Sequence, residues 1–148
     1  MAGVTAELRL FARQWAWLSG KRSKSAVTRW EEYVKRGEEV RRPKLTRYAE
    51  IIFDICVSVG LYQPGSYGPI ALSWSELDCW VRLNGIKLSG WEARTVVDVS
   101  KAFVEQYETS NEHDVPSPWI PEDIDRDKIA ADIGRIMRRL KTRRNKHG

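Results

Sequence analysis

Residues 72–107 read LSWSELDCWVRLNGIKLSGWEARTVVDVSKAFVEQY, and two helix starts stand sixteen residues apart in this stretch. Ser73 is placed to accept from the open N–H groups of a first helical turn, and Glu76, three residues on, to reach back to the cap's own N–H. Ser89 and Glu92 repeat the arrangement. Leu72 and Leu88 precede the caps, where an apolar side chain staples onto the fourth helical position, here Leu77 and Ala93. Asn84 and Gly85 tolerate positive φ and end the first helix. The stretch is therefore a helix, a tight turn and a longer helix. Leu77, Trp80 and Val81 face inward on the first, and Val96, Val99, Phe103 and Tyr107 on the second, with Trp91 extending that face.

Toward the N-terminus, Leu8, Phe11, Trp15 and Leu18 recur three or four apart, which predicts an amphipathic helix over 5–19 stopped by Gly20. Trp17 lies off that stripe and is expected at the surface or against a partner. A second helix is predicted over 25–36 with Val27, Trp30 and Val34 on one face and Gly37 at its end. The charged, proline-containing run 38–44 (EEVRRPK) reads as a linker. Over 46–60, Tyr48, Ile51, Ile52, Ile55, Cys56 and Val59 keep helical spacing across a wide stripe, while 61–72, with Pro64, Gly65, Gly68 and Pro69, reads as an ordered loop.

Beyond Tyr107, the acid-rich segment 108–126 holds Pro116, Pro118 and Pro121, a density that no regular element survives. Trp119 and Ile120 within it suit a strap docked on the body. Residues 127–144 place Ile129, Ile133, Ile136, Met137 and Leu140 on one face, with acids early and bases late, the order a helix dipole favours. The expected architecture is all-α, a small bundle of about five helices plus a C-terminal amphipathic basic helix. Its expected segments are an N-terminal helical hairpin (1–42), a central helical domain (43–109), a Pro-rich acidic linker (110–126) and the basic helix (127–148).

A chain of 148 residues, 42% hydrophobic and 30% charged, is large enough for a real core and ordinary for a soluble protein. The longest apolar run, Ile51 to Leu61, is too short to cross a bilayer, and Glu7, Arg9 and Arg13 break any signal-peptide pattern, so no membrane partner is expected. Cys56 and Cys79 lie in helical apolar patterns without metal-ligand neighbours and read as reduced, buried thiols. His113 and His147 belong to no base-and-nucleophile set, and the glycines of 65–68 lack the lysine and hydroxyl of a phosphate loop. The expectation is a protein that is not an enzyme and has no cofactor or metal.

The formal charge of +5 resides in the tail, where seven Lys or Arg follow position 134 with no acid among them. Two readings of that tail compete. Its apolar stripe, Ile133, Met137 and Leu140, fits a partner-binding face together with Trp119 and Trp17. Its cations, Arg135, Arg138, Arg139, Lys141, Arg143 and Arg144, fit a nucleic-acid contact. A helix-turn-helix reading of 73–107 is weaker, because the second helix would offer Glu92, Arg94, Thr95 and Asp98 to a polyanion.

The residues Gly68, Pro69, Leu72, Trp74, Glu76, Trp80, Leu83, Gly85, Leu88, Trp91 and Glu92 follow the pattern GP-x-x-L-x-W-x-E-x-x-x-W-x-x-L-x-G-x-x-L-x-x-W-E. In this the run 47–107 resembles a family of small proteins of tailed bacteriophages found among tail-morphogenesis products. The resemblance implies a tail-assembly or chaperone-like role, with other phage tail or virion proteins as partners; a second copy of the chain is a further candidate partner. The resemblance also implies residence in the host cytoplasm during assembly, and the virion as a second location. The N-terminal hairpin and the basic C-terminal helix depart from the family pattern.

Overall fold

The structure, a computed structural model, describes residues 2–40, 42, 44–118 and 133–139. Its elements are α1 (Ala2–Ser19), α2 (Arg29–Arg36), α3 (Arg47–Val59), β1 (Gln63–Gly65), β2 (Gly68–Ile70), α4 (Trp74–Leu83) and α5 (Gly90–Ser110). Residues 133–139 are also helical. The chain divides into two compact units, Met1–Pro118 and Trp119–Gly148. The expected hairpin and central domain thus share one unit, because α1 packs along α5 and also meets α3.

The protein is mostly helical, but the all-α expectation gives way at 63–70. There β1 and β2 form a two-stranded antiparallel hairpin with Gln63 opposite Ile70, Pro64 opposite Pro69 and Gly65 opposite Gly68. The opposed prolines lack N–H donors, which keeps the ladder short. A Cβ on Gly65 would stand 2.6 Å from the Gly68 carbonyl oxygen, so this strand tolerates no side chain there. Ser100, buried on α5, ties the hairpin's flanks to the core: its Oγ accepts from Leu72 N (2.7 Å) and donates to Leu61 O (2.8 Å).

Four helices begin on a side-chain cap. Thr28 and Glu31 make a reciprocal capping box at α2, and Thr46 Oγ1 accepts from Ala49 N at α3. The two caps that organise the sequence reading differ from one another. Ser73 Oγ accepts from Glu76 N (3.2 Å) with no return bond from Glu76, whereas at α5 Glu92 N donates to Ser89 Oγ (3.1 Å) and Ser89 N donates to Glu92 Oε1 (2.9 Å). The backbone N–H of Ser89, then its hydroxyl and the Tyr48 hydroxyl, hold the Glu92 carboxyl below its usual range.

Ser73→Ala with Ser89→Ala is expected to lower stability by roughly 1–3 kcal/mol, with Ser89 contributing the larger share. Denaturant midpoints of the single and double variants check this. The Glu92 contribution is present above the unfolded glutamate value of about 4.3 and is lost as pH falls through the lowered folded value. Glu92→Gln is therefore expected to flatten the stability profile on that acid limb.

Within the first unit the core is drawn from every helix but α2. Leu8, Ala12 and Ala16 of α1 meet Val96, Val99, Phe103 and Val104 of α5, Ile52, Phe53 and Cys56 of α3, and Leu77 of α4. Alanines on α1 bring its backbone close to its neighbours, and around them aromatic pairs fill the layer: Phe103 stacks on Tyr62 (5.7 Å) and Tyr107 (6.3 Å). On α3 the buried set is Ala49, Ile52, Phe53 and Cys56, while Tyr48 and Ile51, expected inside, are exposed. Burial pushes the Cys56 thiol up to about 12, and the other cysteine, Cys79, is exposed rather than buried. Thr95 is buried and cannot read a DNA groove.

The face expected on the second helix does not enter the interior as a unit: Val27 precedes α2 and is half-buried, Trp30 and Val34 are 39% and 64% exposed, and the buried residue of α2 is Arg29, at 0%.

Candidate functional site

Arg29 explains why α2 turns its charged side inward. Its Nη1 donates to Trp17 O (3.0 Å) near the end of α1, and its Nη2 donates to Ser110 O (2.9 Å) at the end of α5 and to His113 O. The last carbonyls of a helix have no intrahelical donors and carry the negative end of its dipole, so one guanidinium caps two helices at once. Burial lowers its pKa from the usual arginine value, with Arg22 acting in the same direction and Glu32 and Asp114 against it. Gly20 makes the room: a Cβ there would lie 3.0 Å from Arg29 Nη1 and 3.3 Å from Asn111 Cα.

The same clasp fixes the segment that follows α5. Lys21 N donates to Asn111 Oδ1 (3.1 Å), Ser23 N to Asp114 Oδ1 (3.1 Å), and Glu112 N to Lys21 O (2.8 Å). Trp17, read from the sequence as a partner residue, is 3% exposed. Its Nε1 donates to Val115 O (2.9 Å), and the Arg29 guanidinium carbon stands 4.8 Å from its ring centroid. Contacts within the chain therefore take the place expected for a partner, and residues 111–115, in the first part of the expected linker, are held against the end of α1 and the loop that follows it.

An open groove of about 780 Å³ lies between α1, α3 and the segment before α3. Its floor is aromatic: Phe53 meets Phe11 edge-on at 4.8 Å and lies 5.6 Å from Trp15. Arg42 and Lys44 line it, as do Glu50 and Asp54 of α3. A neighbouring hollow of about 500 Å³ shares Trp15 and Arg42 and is completed by Leu18, Ser19, Thr28 and Trp30. The Arg42 guanidinium carbon stands 5.0 Å from the Trp15 centroid and 4.5 Å from that of Trp30. Beneath it, Gln14, Phe11, Trp15, Leu18 and Arg42 enclose a small void. Gln14 is 2% exposed and neither atom of its amide has a hydrogen-bond partner among the described residues.

In the second unit, Ile133, Ile136 and Met137 are exposed on the helical segment 133–139. Arg135, Arg138 and Arg139 are exposed on the same segment. Trp119, Leu140, Lys141, Arg143 and Arg144 lie outside the described residues. Ser73, Glu76, Ser89 and Glu92 stand at helix starts as structural residues. Among the described residues no group of three or more His, Cys, Asp or Glu is placed to hold a metal ion, and no helix is long and apolar enough to cross a membrane.

The residues that sequence reasoning missed are Arg29, Arg42 and Gln14. A signal existed for the first: Thr28-x-x-Glu31 is a capping box, and starting α2 at Arg29 turns the helix away from the face drawn through Val27. Arg42 in a charged linker and Gln14 in an apolar pattern carry no comparable mark. Comparison with protein-family models, curated proteins and solved structures gives no match to this chain.

Proposed function

We propose that this chain is a non-enzymatic protein of bacteriophage tail morphogenesis, an assembly chaperone or minor structural component, that holds another phage protein through apolar side chains. The observation that carries the reading is the segment 133–139, where Ile133, Ile136 and Met137 leave more than half of their surface open to solvent. Apolar residues three and four apart on one short helix are the pattern by which a helix lies in a partner's groove. The tryptophan and cap pattern of 68–92 supplies the phage assignment. On this reading the protein acts in the host cytoplasm during assembly, with retention in the virion as a second outcome.

A nucleic-acid role is favoured by one observation, the exposed Arg135, Arg138 and Arg139 on the same segment. Two variants separate the readings. Replacing Ile133, Met137 and Leu140 with Ser is expected to abolish capture of the partner from infected-cell lysate. Changing Arg138, Arg139, Arg143 and Arg144 to Gln is expected only to weaken it. DNA titration at two salt concentrations completes the test, because phosphate contacts weaken steeply with salt. Salt-sensitive DNA binding that is lost only in the arginine variant would overturn the protein-binding role of this helix.

A further inference from the structure

We propose that the groove and hollow on either side of Arg42 form a receptor for an acidic, apolar segment of a partner protein, with the partner's carboxylate on Arg42 and its large apolar side chain against Trp15 and Phe53. This inference deepens the protein-binding reading above and rests on it for the kind of partner, a protein, but it concerns a different surface.

Three observations converge on that ligand chemistry. First, Arg42 is held against two indole rings and has no carboxylate within ion-pair distance among the described residues. A guanidinium presents its faces to aromatic rings while its five N–H donors stay in its plane, ready for the two oxygens of a carboxylate. Second, among the described residues Arg42 is the only charged one lining the 500 Å³ hollow, so a carboxylate entering there meets a cation and none of the described acids. In the larger groove Glu50 and Asp54 lie on α3, which repels a carboxylate from that wall and directs it toward Arg42 and Lys44. The charges therefore set an orientation as well as a sign.

Third, the aromatic floor of Phe11, Trp15 and Phe53 supplies the apolar half of the recognition, as aromatic anchors do at protein interfaces.

The test uses the full chain, labelled with ¹⁵N and observed through its seven indole N–H signals. The probes are the peptide acetyl-Gly-Leu-Asp-Phe-Gly-amide and its counterparts with Asn or Lys in place of Asp. The acidic peptide is expected to shift the Trp15 and Trp30 signals and to bind about tenfold more tightly than either counterpart. Arg42→Gln is expected to remove that preference and Arg42→Lys to retain part of it, since the charge survives and the fork does not. Arg42 is exposed, and unchanged positions of the remaining indole signals verify that each variant is folded.

Silence of Trp15 and Trp30 at millimolar acidic peptide, equal binding of the Lys peptide, or an undiminished preference in Arg42→Gln would each overturn the proposal. If the groove is silent while the Ile133, Met137 and Leu140 substitutions still abolish capture, this inference fails and the protein-binding reading stands. If the acidic peptide binds but no phage protein is captured, the reading fails and the site stands.

Discussion

Arg29→Ala is expected to lower stability by about 3–5 kcal/mol, because it empties a buried site and takes a charged donor from three carbonyls, two of which keep only a backbone bond of 3.3 Å. The loss concentrates at one place: the ends of α1 and α5 and residues 111–115 are all held by that side chain or by groups beside it. Lys is a poor replacement, since an ammonium cannot reach the three carbonyls in the planar arrangement that the guanidinium spans. Arg29→Lys is therefore expected to recover less than half of the loss. Urea denaturation read by tryptophan fluorescence measures both, and amide exchange locates the effect at 109–115. A change below about 1 kcal/mol for Arg29→Ala would mean that the carbonyls find water instead and that the clasp is not structural.

Phe103→Ala is the second large effect, at about 3–5 kcal/mol, from the transfer of the ring together with the cavity left behind. Phe103 is 4% exposed at the centre of α5 and carries Tyr62 and Tyr107 on its two flanks. Phe103→Leu restores most of the volume and is expected to cost about 1–1.5 kcal/mol. The comparison by thermal and urea denaturation separates packing from any general intolerance of α5. Equal losses for Ala and Leu would point to the stacked rings rather than the filled volume as the stabilising element.

The helices were legible where local chemistry decides them. Ser73, Ser89 and the apolar spacing of α1 and α5 are signals contained within a few residues, and the structure uses them. What was not legible depends on distant parts of the chain. Arg29 is stable inside only because two helix ends, one of them 81 residues away, converge on it. Trp17 lies off the stripe of α1 and would be a surface residue, except that residues 111–115 return to cover it. The β-hairpin escaped because Pro64, Gly65, Gly68 and Pro69 show no alternation of apolar and polar residues and mark a turn more strongly than a strand. For the candidate site, the apolar spacing of Ile133, Ile136 and Met137, exposed on the helical segment 133–139, was legible. The groove around Arg42 was not, since it arises from Trp15, Trp30 and Phe53, which belong to three separate helices.

The central claim is that this chain works by holding another phage protein, and chemical cross-linking in infected cells tests it most directly. With a lysine-reactive linker, Lys141 and Lys146 report on the apolar segment and Lys44 on the groove. Mass spectrometry of the purified full chain is predicted to find cross-links from these lysines to a tail protein, resistant to nuclease and lost in the Ile133, Met137 and Leu140 variant. Recovery of the chain with DNA alone, or cross-links that vanish on nuclease treatment, would contradict it.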